Sequence, residues 1–181
     1  DSNGDSLWTK TYGTIMAIQN PSHQHLGGHI GYSVQQTSDE DYIITGFAKK
    51  NAISNYVCLI KIDGSDPGVF SEITFPSFGW ANSVQQTYDG GYIITGMKVS
   101  SVSGTDWDIF LTKTDHQGTS LWDQTFVGNN HDEGYSVQQT RDRGYIITGK
   151  TNSVGNGGFD VYLMKIDGQG NVTSTFNIPT P

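Results

Sequence analysis

Ser33-Val-Gln-Gln-Thr37 occurs again as Ser83-Val-Gln-Gln-Thr87 and as Ser136-Val-Gln-Gln-Thr140. The copies begin 50 and then 53 residues apart. Each is followed at a constant offset by Tyr-Ile-Ile-Thr-Gly, in residues 42–46, 92–96 and 145–149. Identical segments with this period indicate a repeat architecture, in which each unit buries its apolar surface against a neighbouring unit.

Each repeat is predicted to contain four β-strands, named A to D, because β-branched and aromatic runs alternate with turns of Gly, Asp and Asn. The predicted strands are residues 33–37, 42–48, 56–63 and 69–75, then 83–87, 92–99, 108–115 and 121–126, then 136–140, 145–150, 160–167 and 172–178. The A–B and C–D connections are short, whereas B–C and D–A are longer and differ between copies. In antiparallel order both variable connections lie at one edge of the unit, and variable loops on a rigid frame commonly form binding surfaces.

Strands B and C are apolar on both faces, so their sheet must be covered on both sides. Strand A is short and polar, which suits an innermost strand that faces a narrow, wet central channel. Together these features predict an all-β fold of four-stranded, β-propeller-type blades. A β-trefoil, which also contains three four-stranded repeats, is the alternative.

The repeat as a whole has a recognisable pattern: Gly-Tyr-Ser-Val-Gln-Gln-Thr-x-Asp-x-Gly-Tyr-Ile-Ile-Thr-Gly, then Asp-Val-Tyr-Leu-x-Lys-x-Asp-x-x-Gly, then Leu-Trp. It resembles the secreted β-propeller repeat of bacteria and archaea, over residues 7–12 and 31–178. The resemblance implies a propeller, often seven-bladed, and a secreted protein, and it implies no particular activity. The first copy departs from the pattern, since it has Glu40-Asp41 in place of Gly-Gly and Gly68-Val-Phe70 in place of Leu-Trp.

The chain is predicted to be a single repeat domain, 1–181. It divides into a leading strand D with a long loop (1–30) and three blades (31–79, 80–130 and 131–181), because Leu7–Tyr12 matches strand D of the repeats. Propellers close with about 4–8 blades. Three blades therefore leave apolar faces uncovered. Either a homodimer completes a six-bladed ring, or the chain belongs to a longer repeat array.

Composition restricts the partners. The net charge of −8 and the pI near 4.8 argue against nucleic acid or an anionic membrane as the main partner. No apolar run reaches the ~20 residues needed to span a bilayer. The single cysteine, Cys58, precludes an intrachain disulfide and is expected to be a small buried hydrophobe.

Candidate ligand-binding residues lie at the variable edge, where aromatic side chains can stack on sugar rings or hold a peptide. Trp80 and Trp107 do not repeat and are the leading candidates. Tyr32 and Tyr135 do repeat, and are expected to pack between blades. The predicted ligand-binding residues are Trp80, Trp107, Tyr56, Phe159, Asn129, His131 and Asp132.

Metal binding is considered for two groups of residues. His23, His25 and His29 could supply three imidazoles from one enlarged D–A loop, although solvated loop histidines are the favoured interpretation. The turns Asp1–Asp5 and Asp167–Asn171 resemble part of a calcium loop, but Asp and Asn in turns usually bond their own backbone. We therefore predict no metal-binding residue and no cofactor, with a surface calcium ion as the alternative.

The sequence contains no recognisable catalytic motif, and we predict no catalytic residue. The predicted function is that of an extracellular or cell-surface binding or scaffold module whose ligand is a carbohydrate or a protein. One alternative is a polysaccharide-active hydrolase or lyase that uses carboxylate pairs such as Asp132/Glu133 or Asp106/Asp108. The other is a purely structural spacer domain.

Overall fold

A computed structural model describes residues 28–49, 55–99, 105–126, 128–155 and 157–178. The predicted leading strand at 7–12, together with His23, His25 and the Asp1–Asp5 turn, lies outside the described residues. The strands are β1 (Gly28–Gln36), β2 (Tyr42–Lys49), β3 (Asn55–Ile62), β4 (Phe70–Gln86), β5 (Tyr92–Val99), β6 (Trp107–Thr114), β7 (Ser120–Phe126), β8 (Asp132–Gln139), β9 (Tyr145–Thr151), β10 (Asp160–Ile166) and β11 (Val172–Ile178). Among these residues there is no helix, and therefore none that could cross a membrane.

The strands form three four-stranded antiparallel sheets, which confirms an all-β fold with four strands in each repeat. Sheet 1 contains β1, β2, β3 and the first half of β4; sheet 2 contains the second half of β4, β5, β6 and β7; sheet 3 contains β8 to β11. Each sheet follows the order A, B, C, D. Over the described ranges the sheets do not close into a ring, so closure remains a prediction.

Strand β4 corrects one prediction. The sequence suggested a loop between strand D of the first repeat and strand A of the second, but Phe70–Gln86 is one continuous strand. Its pairing passes from β3 to β5 between Phe78 and Gly79. Pro76 lies where the register with β3 shifts, and proline is tolerated there because a bulge needs no ladder N–H at that residue. The chain therefore enters the next sheet without a turn.

Strand A is longer than predicted. Its pairing with strand B begins at Gly28, Gly79 and Asp132 rather than at the Ser of the motif, and a β-bulge precedes that Ser in each sheet. The bulge interrupts the alternation by which a strand is recognised in a sequence. It also explains the Gly of Tyr-Ile-Ile-Thr-Gly, because a Cβ added at Gly96 would lie 2.0 Å from the carbonyl oxygen of Trp80.

The sheets stack face to face through two apolar clusters. Ile43 and Leu59 of sheet 1 share a cluster with Val84 and Ile94 of sheet 2. A second cluster joins sheets 2 and 3; it contains Ile93, Ile109, Leu111, Val137, Tyr145, Ile147, Met164 and Ile166. Adjacent residues Ile93 and Ile94 are thus both fully buried, on opposite faces of sheet 2. This confirms that the middle repeat is apolar on both sides.

Neighbouring A strands are joined by side chains of the Ser-Val-Gln-Gln-Thr motif. The Val84 N–H donates to Ser33 Oγ (3.3 Å), and the Gln86 N–H donates to Gln35 Oε1 (2.6 Å). In the reverse direction, Gln86 Oε1 accepts from the N–H of Ser38 (2.8 Å). The same three bonds join sheets 2 and 3, from the N–H groups of Val137, Gln139 and Tyr88 to Ser83 Oγ, Gln85 Oε1 and Gln139 Oε1. The motif is polar because it connects repeats, a use that the sequence interpretation did not anticipate.

The edge that carries the A–B and C–D turns, here called the turn edge, is nearly identical in the three sheets. Each A–B turn has an Asp that accepts a hydrogen bond from the Thr that follows strand A and forms an ion pair with a Lys of strand C. The triads are Thr37–Asp39–Lys61, Thr87–Asp89–Lys113 and Thr140–Asp142–Lys165. In the last C–D turn, Asp167 Oδ1 accepts hydrogen bonds from the N–H groups of Gln169 and Asn171. This confirms that Asp167 bonds its own turn.

Candidate functional site

The opposite edge, where strands A and C begin and strands B and D end, is here called the loop edge. Trp80 lies near the middle of β4, just after the strand passes from sheet 1 to sheet 2 at this edge, and Trp107 is the first residue of β6. Their ring centroids are 4.6 Å apart, with the ring planes at 51°. Phe47 packs edge-on against Trp80 at 6.1 Å, and Tyr32 lies 6.1 Å from Phe47. A row of four aromatic rings therefore crosses from sheet 1 to sheet 2, and both tryptophans are only partly buried.

The position of Trp80 follows from the bulge of strand A. Trp80 pairs with Met97, and the register shifts between Ala81 and Ser83. A bulge bends its strand and changes the direction of the side chains before it. Trp107 pairs with Val99 at the end of β5, so both indole rings belong to one end of one sheet.

A polar pair lies beside the tryptophans. His131 Nε2 is 3.5 Å from Asp106 Oδ1, and Asp106 immediately precedes Trp107. The contact joins the B–C connection of sheet 2 to the D–A connection that enters sheet 3. Both side chains retain solvent exposure, with 43% of His131 and 27% of Asp106 accessible. An accessible donor and acceptor thus meet at the residue that precedes Trp107 in the chain.

The D–A connection before β8 is held by a buried carboxylate. Asp132 is 5% exposed; its Oδ2 accepts from Ser153 Oγ (2.7 Å) and its Oδ1 accepts from the N–H of Asn152 (3.3 Å). Asn130 is bound to the same segment, since its N–H donates to Ser153 Oγ (3.0 Å). Asp132 therefore positions the loop that carries Asn129 and His131, and Asn129 itself is exposed.

A second cluster on the loop edge surrounds Lys150. Its Nζ is 3.1 Å from Glu133 Oε2 and 4.4 Å from the ring centroid of Phe159, a cation–π contact. A hydrogen bond with Tyr135 raises the pKa of Lys150, and the bond with Glu133 raises it further. Burial, followed by the bond with Glu133, raises the pKa of Tyr135. Phe159 thus binds a lysine of its own sheet and does not join the tryptophans.

The same structural position differs in chemistry from sheet to sheet. The second residue pair before the bulge is Ile30–Phe47 in sheet 1, Trp80–Met97 in sheet 2 and Glu133–Lys150 in sheet 3. The turn edge, by contrast, repeats its Thr–Asp–Lys triad in all three. Variation is thus concentrated at one edge of an otherwise constant frame.

Two other predicted residues lie apart from the aromatic row. Tyr56 of β3 pairs with Ala48 of β2. Ala48 is adjacent to Phe47 in the strand, so the side chain of Tyr56 points to the face opposite that of Phe47. His29 was predicted to lie in a loop, but it belongs to β1, where its Nε2 is 2.9 Å from Glu72 Oε1. Strand A extends further toward the N-terminus than its polar motif suggests, and this extension includes His29.

The carboxylates considered for catalysis have structural partners or are closed to solvent. Asp108 is fully buried, and its Oδ1 accepts from the N–H of Gly128 (3.4 Å). Asp106 Oδ1 lies 3.5 Å from His131 Nε2, and Glu133 is ion-paired with Lys150. Over the ranges that the structure describes, no group of three His, Cys, Asp or Glu side chains is arranged to hold a metal ion.

Sequence reasoning missed Phe47, Asp106 and Lys150 as members of these clusters. A signal was present for two of them, because Phe47 and Lys150 occupy the position immediately after the invariant Tyr-Ile-Ile-Thr-Gly, where the second repeat has Met97. A variable residue directly after an invariant segment indicates where the strand leaves the conserved sheet and reaches the loop edge. The contact of Asp106 with His131 joins two different loops, and no local pattern predicts it.

Comparison with known proteins supplies no assignment: no protein-family model matches this sequence, and no match was found among curated proteins.

Proposed function

We propose that this chain is a carbohydrate-binding module that acts outside the cell or at its surface, and that Trp80 and Trp107 hold a sugar ring at the loop edge. The observation that carries the proposal is the contact of two partly exposed indole rings beside accessible polar groups. Sugar rings bind to aromatic faces through their C–H surfaces, while their hydroxyl groups need donors and acceptors nearby. His131, Asp106 and Asn129 supply such groups.

Charge narrows the class of ligand. The chain carries a net charge of −8, and Asp106 lies directly beside Trp107. An anionic polysaccharide would be repelled by this surface, particularly at low ionic strength. The proposed ligand is therefore a neutral glycan, and its binding should depend little on salt.

The different chemistry of the three sheets at the loop edge supports binding rather than a role as a spacer alone. A spacer needs only the conserved contacts between repeats and the turn edge. The Trp80–Met97, Glu133–Lys150 and Ile30–Phe47 pairs take no part in the conserved hydrogen bonds between A strands or in the turn edge, yet they differ at equivalent positions. Variable loops on a constant frame are the usual arrangement of a recognition surface.

Affinity electrophoresis and glycan-array binding with neutral polysaccharides test the proposal. Trp80→Ala and Trp107→Ala should each reduce retention at least about tenfold, the loss expected when a stacking contact is removed. Tyr88→Ala is the matched control, because Tyr88 is an exposed aromatic residue (69%) at the turn edge. Thermal melts of each variant separate loss of binding from loss of stability. If no neutral glycan is retained and both tryptophan variants only lower the melting temperature, the rings serve packing and the proposal is wrong.

A further inference from the structure

The set of hydrogen bonds between the A strands of neighbouring sheets is here called a junction. One end of the stack of sheets presents the acceptors of such a junction, and the other end presents its donors. Each internal junction needs acceptors from the preceding A strand, namely Ser Oγ and the first Gln Oε1, and donors from the following A strand, namely the Val and second Gln N–H groups. Sheet 3 presents the acceptors Ser136 and Gln138, and no sheet follows it in the described part of the chain. Sheet 1 presents the equivalent donors on Val34 and Gln36.

Apolar surface at the two ends shows the same complementarity. Val34 is 65% exposed, whereas its equivalents Val84 and Val137, each covered by the preceding sheet, are 6% and 3% exposed. At the other end Val161 is 51% exposed, whereas its equivalents Val57 and Ile109, each covered by the following sheet, are both 1% exposed.

The exposed surface of sheet 3 extends beyond Val161. Phe176 and Ile178 are 58% and 65% exposed, and they pair with Leu163 and Val161 on the same face. On β1, Val34 pairs with Ile44, so these two apolar side chains share the face of sheet 1 that points away from sheet 2. Contiguous apolar surface of this kind marks a site of association.

We infer that a second copy of this chain covers both ends, with sheet 3 of one protomer packed head to tail on sheet 1 of the other. The hydrogen bonds of the new junction are specified by the internal ones. The N–H groups of Val34 and Gln36 would donate to Ser136 Oγ and Gln138 Oε1 of the other protomer. The side chain of Gln36 would accept from the N–H of Arg141, as Gln86 accepts from Ser38.

Two copies are favoured over other numbers by ring closure. A head-to-tail contact either closes into a ring or continues as a filament. Two chains provide six sheets, within the range of about four to eight at which such sheets close radially, whereas three chains exceed it. Whether the loop edge binds a glycan has no bearing on this junction.

Light scattering coupled to size-exclusion chromatography of the full chain is the primary test. The expected mass is twice the 19.8 kDa of one chain. Val34→Asp and Val161→Asp should each weaken association about a hundredfold or more, because either change buries a carboxylate against valine. Leu121→Asp is the matched control, since Leu121 is equally exposed (59%) but belongs to the middle sheet, and it should leave the dimer intact.

Mixing the two disrupted variants distinguishes a head-to-tail contact from a symmetric one. A Val34→Asp chain keeps a competent sheet 3, and a Val161→Asp chain keeps a competent sheet 1. The mixture should therefore recover a species of twice the chain mass, held by one intact junction. Circular dichroism establishes that each variant is folded, and Gln138→Ala replaces Val161→Asp if the latter does not fold. A wild-type monomer at every concentration, an undisturbed dimer in both variants, or no recovery on mixing would each overturn the inference.

Discussion

Asp89 and Lys113 form an ion pair whose two members are buried to very different extents. The side chain of Lys113 is 4% exposed, whereas that of Asp89 is 57% exposed, and their Nζ and Oδ2 atoms are 2.9 Å apart. Lys113 has one further acceptor, the carbonyl oxygen of Thr114 at 2.8 Å. We predict that Asp89→Asn destabilises the protein more than Lys113→Met, because water can hydrate a lone Asp89 but cannot reach a lone Lys113.

The magnitude follows from the pKa of Asp89. Burial alone would raise this pKa, but hydrogen bonds from Thr87 and Lys113 outweigh it and lower the pKa from 3.8 to about 2. At about 1.4 kcal/mol per pKa unit this gives an upper limit of roughly 2.5 kcal/mol. Since Asp89 is more than half exposed, solvent screening reduces its share to about 1 kcal/mol. Loss of an acceptor for buried Lys113 brings the expected cost of Asp89→Asn to about 1–2 kcal/mol.

Lys113→Met should cost less than about 1 kcal/mol, because methionine preserves most of the packing of the lysine stem. Asp89 would keep its hydrogen bonds from Thr87 Oγ1 (2.5 Å) and from the N–H of Gly91 (3.1 Å). Asp89→Asn is therefore expected to lower the free energy of unfolding more than Lys113→Met does, although the two residues form one ion pair.

The dependence on pH has a definite sign. The pKa of Asp89 is lower in the folded protein than in the unfolded chain, where it is about 3.9. Its contribution is therefore complete above about pH 4 and is lost as the pH falls toward 2. The difference in unfolding free energy between wild type and Asp89→Asn should narrow over that interval.

Urea unfolding at pH 7, 4 and 2.5, followed by tryptophan fluorescence and circular dichroism, measures these differences. Asp142→Asn is the matched control, because its partner Lys165 is 23% exposed and can be hydrated after the change. Its effect should be smaller than that of Asp89→Asn. A larger loss of stability in Lys113→Met than in Asp89→Asn, or an Asp89→Asn difference that is independent of pH, would contradict this prediction.

Three further predictions concern the backbone and the thiol. Gly96→Ala should lower the free energy of unfolding by more than about 3 kcal/mol or prevent folding, because the added Cβ would lie 2.0 Å from the Trp80 carbonyl oxygen. Gly90→Ala should cost only about 1 kcal/mol in the same urea assay, because Gly90 has a φ of 81° but no atom lies within 4 Å of the added Cβ. Arg143→Gly should raise stability by up to about 1 kcal/mol, measured as a higher urea midpoint, because Arg143 has a φ of 63°; a lower midpoint would contradict this. Burial, and secondarily the charge of Glu72, raises the pKa of Cys58 to about 12, so Ellman's reagent should react with it only after denaturant is added.

Much of the fold could be predicted from local chemistry. Strands β5 and β11 have the bounds expected from the sequence, because each is a β-branched run that follows a turn containing Asp and Gly. The beginnings of the A strands were not predictable in the same way, since a bulge breaks the two-residue alternation there. The continuity of β4 was missed because Pro76 suggests a loop when read locally, and only the shifted pairing with β3 accommodates it.

The candidate site was likewise predicted only in part from the sequence. Trp80 and Trp107 were singled out because they do not repeat, and their rings are in contact. His131 was also a predicted ligand-binding residue, and it lies 3.5 Å from Asp106, the residue before Trp107. Tyr56, by contrast, faces the other side of sheet 1, and Phe159 packs on Lys150. Side-chain periodicity along one strand assigns a residue to a face of its own sheet. It does not reveal which residues of the adjacent sheet lie opposite that face.

The repeated motifs alone establish the number of units, their strand order and their two-faced apolar character, because these depend on neighbours within a few residues. The contacts between units required the folded arrangement. The bonds from Gln35 to Gln86 and from Asp106 to His131 join residues of different sheets, and their geometry depends on how those sheets stack. A chain of near-identical repeats thus specifies the structure of each repeat locally, whereas the arrangement of side chains at the loop edge and at the two ends depends on how the sheets stack.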